Sequence, residues 1–558
     1  MSARVKLGIA AVLLLPTIIA GSYLSGWLVT LLLHVNVPLS GLTYWRYLQA
    51  LDMPAFQMYA GRIKMAGCIG YGSTALAWLG VLYPMLRTQK RATHGSARFA
   101  ARSDLGKSGM LSKDPSGIIV GKSSGRFLRL SGTRHVLLAA GTRSGKGVSF
   151  GIPNALHYEG SLVMVDMKQE GFDITSKARS LLGPVFLFNP FAEDLRTHRW
   201  NPFAYVRADR LHRASDLQAI SECLYKQTPG QDPFWANAAR NAFEAAASLL
   251  FDRWQHAEQS GADAQELYPT LGAIYRLMSG NGDDLKAHFK SQLTQPGTST
   301  ATRTAFANIT SLADQTFSSV IGVAQAPLLI FASRVLDEAT SGNDFDLRSL
   351  RRLRQSIYVG VAPNRLAEAR GILNLFFEQA IKLNTDVTPQ KDPSVKHQCL
   401  FLLDEFAALG RIDCLVDGTT YVAGYNVRLA CMIQSLSQLD DVYGPDKART
   451  MITNLACRVI FAPSEQRDAN DFSEMLGYTT ERKQQRTRAS GGNVSYTDIE
   501  ERRALMLPQE LKALSPKKEI VFVEGAERPV LCDKIRYYED RDCTPKLLGA
   551  VEVPKLEL

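Results

Sequence analysis

A short apolar strand running into a glycine-rich loop that closes on a lysine limits this chain more than any other stretch. Residues 134–154 read RHVLLAAGTRSGKGVSFGIPN. Val136 to Ala139 is the strand, Gly141, Thr142, Arg143, Ser144 and Gly145 form the loop, and Lys146 and Gly147 close it. A helix is expected from about Gly145. Backbone N–H groups of such a loop curl around phosphate oxygens, the lysine reaches the terminal phosphates, and the helix N-terminus adds positive potential. Ala140 stands where the first glycine of G-x-x-x-x-G-K-[ST] belongs, and Gly147 replaces the hydroxyl residue that would ligate Mg²⁺. Taken alone, the loop also fits an ordinary glycine-rich turn.

A second stretch, CLFLLDEFAALGRI at 399–412, narrows the choice. Cys399 to Leu403 reads as a strand buried on both faces, as in a parallel sheet. It delivers Asp404 and Glu405 to the strand's C-terminal edge, where open α/β sheets bind ligands. Asp404 is expected to hold Mg²⁺ through water and Glu405 to polarise an attacking water. Lysine loop and Asp-Glu strand together describe an ATP-hydrolysing core.

The 558 residues leave room for two to four domains, and the net charge of +10 favours nucleic acid or acidic lipid as partner. Eight scattered cysteines form no C-x-x-C, which argues against zinc and for reduced thiols in the cytosol.

Two runs, Leu7 to Leu33 and Met65 to Leu86, carry no charge and are long enough to cross a bilayer of about 30 Å. Arg4 and Lys6 precede the first; Arg87, Lys90, Arg91, Arg98 and Arg102 follow the second. The positive-inside rule places both chain ends in the cytoplasm, although Arg62 and Lys64 pull weakly the other way. Lys146 and Asp404 lie 258 residues apart, more than a few βα units need. From about Ala208 to Gln325 strand signals vanish, and Trp235, Ala239, Ala242, Ala246 and Leu249 recur at helical spacing. Helices are also expected over Thr270–Met278, Asp284–Leu293 and Thr300–Ala324, which together make an inserted all-α subdomain.

Elsewhere a hairpin is expected over Gly117–Leu130, turning at Ser123-Ser124-Gly125, with strands at Leu162–Val165, Phe186–Phe188, Ser356–Val361, Arg428–Gln434, Arg458–Ala462, Glu519–Glu524 and Lys534–Tyr538. Gln434, at a strand end, fits either a γ-phosphate sensor or a plain polar terminus. Glu481 to Ile499 reads as a polar loop; its Arg482, Lys483, Arg486 and Arg488 suit either DNA or solvent.

Several ordered motifs resemble the type IV secretion coupling proteins, the TraG-type conjugation ATPases. They are HGSAR at 94–98, TRSGKG at 142–147, VDMKQE at 165–170, DPFW at 232–235, LLDEFAALGRI at 402–412, QSLSQL at 434–439 and ERRALMLPQEL at 501–511. The resemblance covers nearly the whole chain, and GKG is common in that family. It implies an α/β, RecA-like P-loop domain (91–207 and 326–558) with the all-α domain (208–325) inserted, behind a two-span anchor (1–90). It implies an inner-membrane homo-hexamer that takes relaxase-bound single-stranded DNA, or protein effectors, to a secretion channel at the expense of ATP with Mg²⁺. By position, Lys146 then binds phosphate, Asp404 metal, Glu405 is the base and Gln434 the sensor. Arg134 matches a position near the subunit interface. The trans-acting arginine of the family has no clear match, and Arg428 is the nearest substitute.

An ATP-switched docking receptor for secreted effectors that pumps no DNA shares this architecture; a third reading, a chromosome-segregation pump, is disfavoured because only two spans precede the motor.

Overall fold

The structure is a computed structural model, and it describes residues 3–86, 93–227, 230–280, 282, 284–488 and 494–558. The chain forms two compact units, 1–93 and 94–558.

The first unit is a pair of long helices, Ala3–Leu33 and Ala60–Leu86, joined by short helical turns. Small residues let the pair approach closely: a Cβ on Gly70 would lie 2.2 Å from the Ser25 hydroxyl. Two polar contacts cross the pair, between the Ser22 and Tyr71 hydroxyls at 2.7 Å and from the Trp78 indole to the Ala10 carbonyl at 3.3 Å. Val12, Leu15, Leu76 and Tyr83 point outward, exposed. Among the described residues three helical stretches are long and apolar enough to cross a membrane: Ala10–Leu33, Ala60–Tyr83 and Asp314–Ala332. The last belongs to the second unit, where Phe317, Val320, Ile321 and Phe331 are buried in its core.

The second unit is built on strands β1 (Ile118–Ser123), β2 (Arg126–Leu130), β3 (Val136–Ala139), β4 (Ser161–Val165), β5 (Val185–Phe188), β6 (Ser356–Val359), β7 (Cys399–Leu403), β8 (Val427–Ile433), β9 (Cys457–Ile460), β10 (Tyr478–Arg488), β11 (Val494–Ala504), β12 (Lys518–Val523) and β13 (Val530–Asp533). Eleven form one mixed sheet in the order β2-β1-β13-β12-β9-β3-β8-β7-β4-β6-β5. From β9 to β5 every pairing is parallel; from β9 back to β2 every pairing is antiparallel. All residues of β3, β4, β6, β7 and β8 are buried. On β7, Cys399, Phe401 and Leu403 feed one core while Leu400 and Leu402 feed the other. A strand covered on both faces needs apolar residues at every position, which is why these segments read as unbroken apolar runs.

Between β5 and β6 the described chain is helical and carries no strand in the sheet. Side-chain caps start its helices: Asp232 accepts from Phe234 N at 2.9 Å, Thr270 from Ala273 N at 2.9 Å and Ser299 from Thr302 N at 3.2 Å. The stretch expected as one helix over Thr300–Ala324 is two, Thr300–Thr310 and Asp314–Gln325. Buried Asp252, on the helix Pro233–Gln259, ties the first of these to the helix Arg210–Leu224, accepting from Arg213, Ser299 N and the Thr302 hydroxyl.

The β1–β2 hairpin turns at Ser124 and Gly125, both with positive φ (49° and 75°), as a two-residue type I′ turn requires. Two expectations are corrected. Lys534–Tyr538 is not a strand; the closing strand is β13, just before it. Its alternating Ile535 and Tyr537 imitate a strand, but they pack into a small cluster around Ile119 and Cys543. The described parts of the polar stretch 481–499 are strand and not loop. β10 and β11 pair in antiparallel register from Tyr478↔Ala504 to Arg488↔Val494. No apolar alternation announces this ribbon. Its backbone ladder and cross-strand ion pairs, Arg482–Glu500 at 2.8 Å and Lys483–Glu501 at 2.7 Å, hold it.

Residues 94–97 lie along the base of β10: Ala97 N donates to the Tyr478 carbonyl at 3.0 Å and Thr480 N to the Gly95 carbonyl at 3.1 Å. Gly95 has φ +135°, and a Cβ there would stand 2.2 Å from the Tyr478 carbonyl oxygen. Gly95→Ala is therefore expected to detach this connector. Amide exchange at Ala97 and Thr480 should accelerate about 10-fold or more while the central sheet stays protected; unchanged exchange would show that the contact tolerates a side chain.

Candidate nucleotide site

β3 ends at Ala139, and the loop leaves the sheet through Ala140, whose N–H donates to the Ile433 carbonyl at 3.0 Å. Arg143 (φ 59°) and Gly145 (φ 82°) take left-handed backbone, which curls the loop before the chain enters a wide helical turn at Gly147–Gly151 and a regular helix at Ile152–His157. Lys146 already has helical backbone, so the helix begins within a residue of the expected Gly145. A Cβ on Gly147 would meet nothing within 4 Å, so steric crowding does not account for the missing hydroxyl.

Because β8 lies between β3 and β7, three neighbouring strand ends open on one edge. Lys146 follows β3, Gln434 follows β8, and Asp404 and Glu405 follow β7. The Lys146 ammonium, on a side chain 14% exposed, sits 2.5 Å from Glu405 Oε1 and 3.5 Å from Asp404 Oδ1. Among the described residues these two carboxylates are the partners of Nζ, so an anion arriving at the edge has only them to displace. Gln434 closes the group: its Nε2 donates to Glu405 Oε2 at 3.0 Å, and its Oε1 accepts from the Thr142 hydroxyl at 2.9 Å. Glu405 has left-handed backbone (φ 49°, ψ 44°), a sparsely populated conformation for a non-glycine residue and one that recurs at functional sites. Burial raises the carboxyl of Asp404 above its ordinary range; Lys146 opposes this and Glu405 adds to it.

Sequence reasoning assigned no role to Asp166, at the end of β4 beside β7. It is buried, accepts from Phe172 N at 2.7 Å, and burial raises its carboxyl to about 6. Its signal was the same as that of Asp404, an apolar run ending in aspartate. A second layer supports Gln434. Its N–H donates to Gln438 at 3.0 Å, Leu436 N donates to Asp468 at 3.2 Å, and the Ser437 hydroxyl donates to Glu465 at 2.8 Å.

Arg428 is not a trans-acting arginine. It is completely buried near the start of β8, the far end of the strand from Gln434. Its guanidinium donates to the carbonyls of Arg134 at 2.8 Å, Leu130 at 3.1 Å and Ser116 at 3.2 Å, and burial lowers it to about 10. Arg134 is exposed at the entry end of β3, again opposite the phosphate loop of its own chain. Of the four basic residues considered for DNA, Arg482 and Lys483 are engaged in ion pairs on the ribbon; the side chains of Arg486 and Arg488 lie outside the described residues.

Residues 88–555 match the family model for type IV secretory system conjugative DNA transfer. The chain belongs to that family. It is 30% identical over 464 residues to protein VirD4 of Agrobacterium fabrum, covering 80% of this chain and 66% of that protein. It is 26% identical over 532 residues to a conjugal transfer protein TraG of Escherichia coli, covering 87% of this chain and 81% of the relative. Its fold is similar to the conjugative coupling protein TrwB, at TM-score 0.58 and 18% identity over 83% of this chain and 99% of that one. TrwB has also been solved with ADP and Mg²⁺ and with a non-hydrolysable ATP analogue, at TM-score 0.55 in both cases. This chain is a coupling protein of the conjugative type IV secretion class, with apolar helices near its N-terminus.

Within a coupling protein, Arg428 is then a structural residue. Arg428→Met strands several buried carbonyls at about 1–3 kcal/mol each. It should lower the unfolding free energy by about 3 kcal/mol or more in a denaturant titration. A loss of ATP turnover at unchanged stability would instead restore a direct role for this guanidinium.

Proposed function

We propose that this coupling protein hydrolyses ATP at the edge formed by β3, β8 and β7, in a RecA-like P-loop domain of residues 91–207 and 326–558 interrupted by an all-α domain of 208–325. The observation that carries this reading is the closed Lys146–Glu405–Gln434–Thr142 group, in which a phosphate-binding cation, a base, a sensor and the loop itself touch one another. An arriving triphosphate competes with Glu405 for the Lys146 ammonium. Glu405, released, accepts the proton of the water that attacks the γ-phosphorus, and Gln434 exchanges its bond to Glu405 for one to that water or phosphate. Asp404 and its neighbour Asp166 would hold Mg²⁺, which would neutralise charge on the phosphate oxygens. The TrwB complex with ADP and Mg²⁺ supports both ligands.

The two apolar N-terminal helices, at 7–33 and 65–86, act as a two-span anchor in the bacterial inner membrane, with the bulk of the chain cytoplasmic. The protein works as a homo-hexamer: Arg134, exposed on the entry edge, faces a neighbouring subunit. It brings relaxase-bound single-stranded DNA to the secretion channel. The alternative, a docking receptor for effectors without DNA pumping, gains from the ion pairing of Arg482 and Lys483, which leaves those charges less available to phosphates.

Lys146→Ala should abolish ATP hydrolysis with folding intact. Glu405→Gln should keep ATP affinity within a few-fold and lose about 100-fold or more in turnover, read by a phosphate-release assay. Near-normal turnover in Glu405→Gln would remove it as the base. Single-stranded DNA should raise the ATPase rate of the assembled protein, with affinity falling log-linearly as salt rises, by on the order of 0.7 counterions per phosphate contacted. A rate indifferent to DNA at every salt concentration leaves the docking receptor standing.

A further inference from the structure

Three basic residues stand against the positive-inside rule. Arg46 lies in the turn between the two apolar helices, and Arg62 and Lys64 open the second helix, where few cations are expected. Asp52 is the only acidic residue in positions 1–93, so this unit holds little counter-charge of its own. Among the described residues no carboxylate lies within ion-pair distance of Arg46, Arg62 or Lys64. All three are exposed, and Arg62 donates to the Leu32 carbonyl at 3.3 Å.

Helix rise fixes their depth. Gly26 lies 20 residues beyond Lys6, and Gly67 lies 19 before Leu86, which precedes the basic run read as cytoplasmic. At 1.5 Å per residue each interval is about 30 Å, the thickness of the hydrocarbon core. The fold marks the same level. The short helix Thr43–Gln49 turns back onto the pair there: a Cβ on Gly26 would stand 3.1 Å from Thr43, and one on Gly67 would overlap the Tyr44 hydroxyl. The Tyr44 ring meets that of Tyr71 edge-on, 5.9 Å between centroids. Trp45, Tyr23 and Trp27 are exposed around it, a girdle of the kind found where hydrocarbon gives way to headgroups. Arg46 follows Trp45 directly, and Lys64 and Arg62 lie about 5 and 8 Å beyond Gly67, within the headgroup layer.

We propose that the helix Thr43–Gln49 and the first two turns of Ala60–Leu86 form a headgroup site for an anionic phospholipid, with Arg46, Arg62 and Lys64 as ligands for its phosphate. The inference rests on the two-span reading of these helices. An acidic protein would offer the same charge, but at this depth lipid is the surrounding medium. The exposed Leu42, Met53 and Met58 in the same turn suit acyl chain rather than a hydrated acidic surface.

The test uses the full chain in phosphatidylcholine vesicles with a trace of spin-labelled phosphatidylglycerol or spin-labelled phosphatidylcholine. The immobilised fraction of each label gives their relative affinity. Wild type should prefer phosphatidylglycerol, and Arg46→Gln, Arg62→Gln and Lys64→Gln combined should lower that preference about 3-fold or more. Arg46→Lys, Arg62→Lys and Lys64→Arg combined should retain it, which separates loss of charge from loss of fold. If the glutamine variant keeps the wild-type preference, the three cations serve a protein partner and the lipid site is wrong, while the two-span reading survives. If wild type does not enter the vesicles, both fail.

Discussion

One ion pair, Lys146 with Glu405, sets the terms for the rest of the second unit. A largely buried ammonium needs a counter-charge at hand, since an unpaired ion in a low dielectric is costly. Here the counter-charge comes from a strand that is not the lysine's neighbour. β8 must therefore lie between β3 and β7, and it must end in a polar residue that can bridge them, which is Gln434. Parallel neighbours cannot be joined by tight turns, so the chain makes long crossovers, and the longest of them carries the helical run between β5 and β6. On the proposed reading the pair also couples two steps: a phosphate that competes for the lysine would unmask the base in the same event.

This arrangement was unevenly legible. β3, β4, β7 and β8 stand out because strands buried on both faces leave no room for polar residues. Lys146, Asp404 and Glu405 follow from where those runs stop. Strand order leaves no mark on composition, so the bridge from Thr142 through Gln434 to Glu405 had no signal beyond a polar residue at a strand end. The β10–β11 ribbon was missed because its faces are solvated and its ladder is backbone. Lys534 was misplaced for the opposite reason: alternating apolar residues that pack in a turn look like a strand.

The two edges of the sheet hold buried cations in contrasting ways. At the entry edge Arg428 donates to three carbonyls, and Arg179 donates to the carbonyls of Tyr158 and Gly160 and to the Ser356 hydroxyl. These guanidiniums have spent their donors on fixed backbone acceptors, and nothing arriving from outside can claim them. At the exit edge Lys146 is held, among the described residues, by two side-chain carboxylates and by no backbone acceptor. Burial and positive charge are common to both. What separates a structural cation from a ligand-binding one is whether its hydrogen bonds are already made. By that measure Arg428, which sequence position nominated, is a structural cation.

The same criterion indicates where a change at the site would be felt. Gln434 has both side-chain ends committed, to Thr142 and Glu405, and its backbone N–H held by Gln438. It cannot follow a displaced Glu405 without disturbing the turn at 435–438, which hangs on Asp468 and Glu465 at the start of the helix Gln466–Leu476. That helix ends at Gly477, one residue before β10, and β10 carries residues 95–97 on its base. A series of connected elements therefore runs from the Gln434 edge to residues 95–97. Its side-chain links are the hydrogen bonds to Asp468 and Glu465, and its remaining steps are the helix itself and the single residue Gly477.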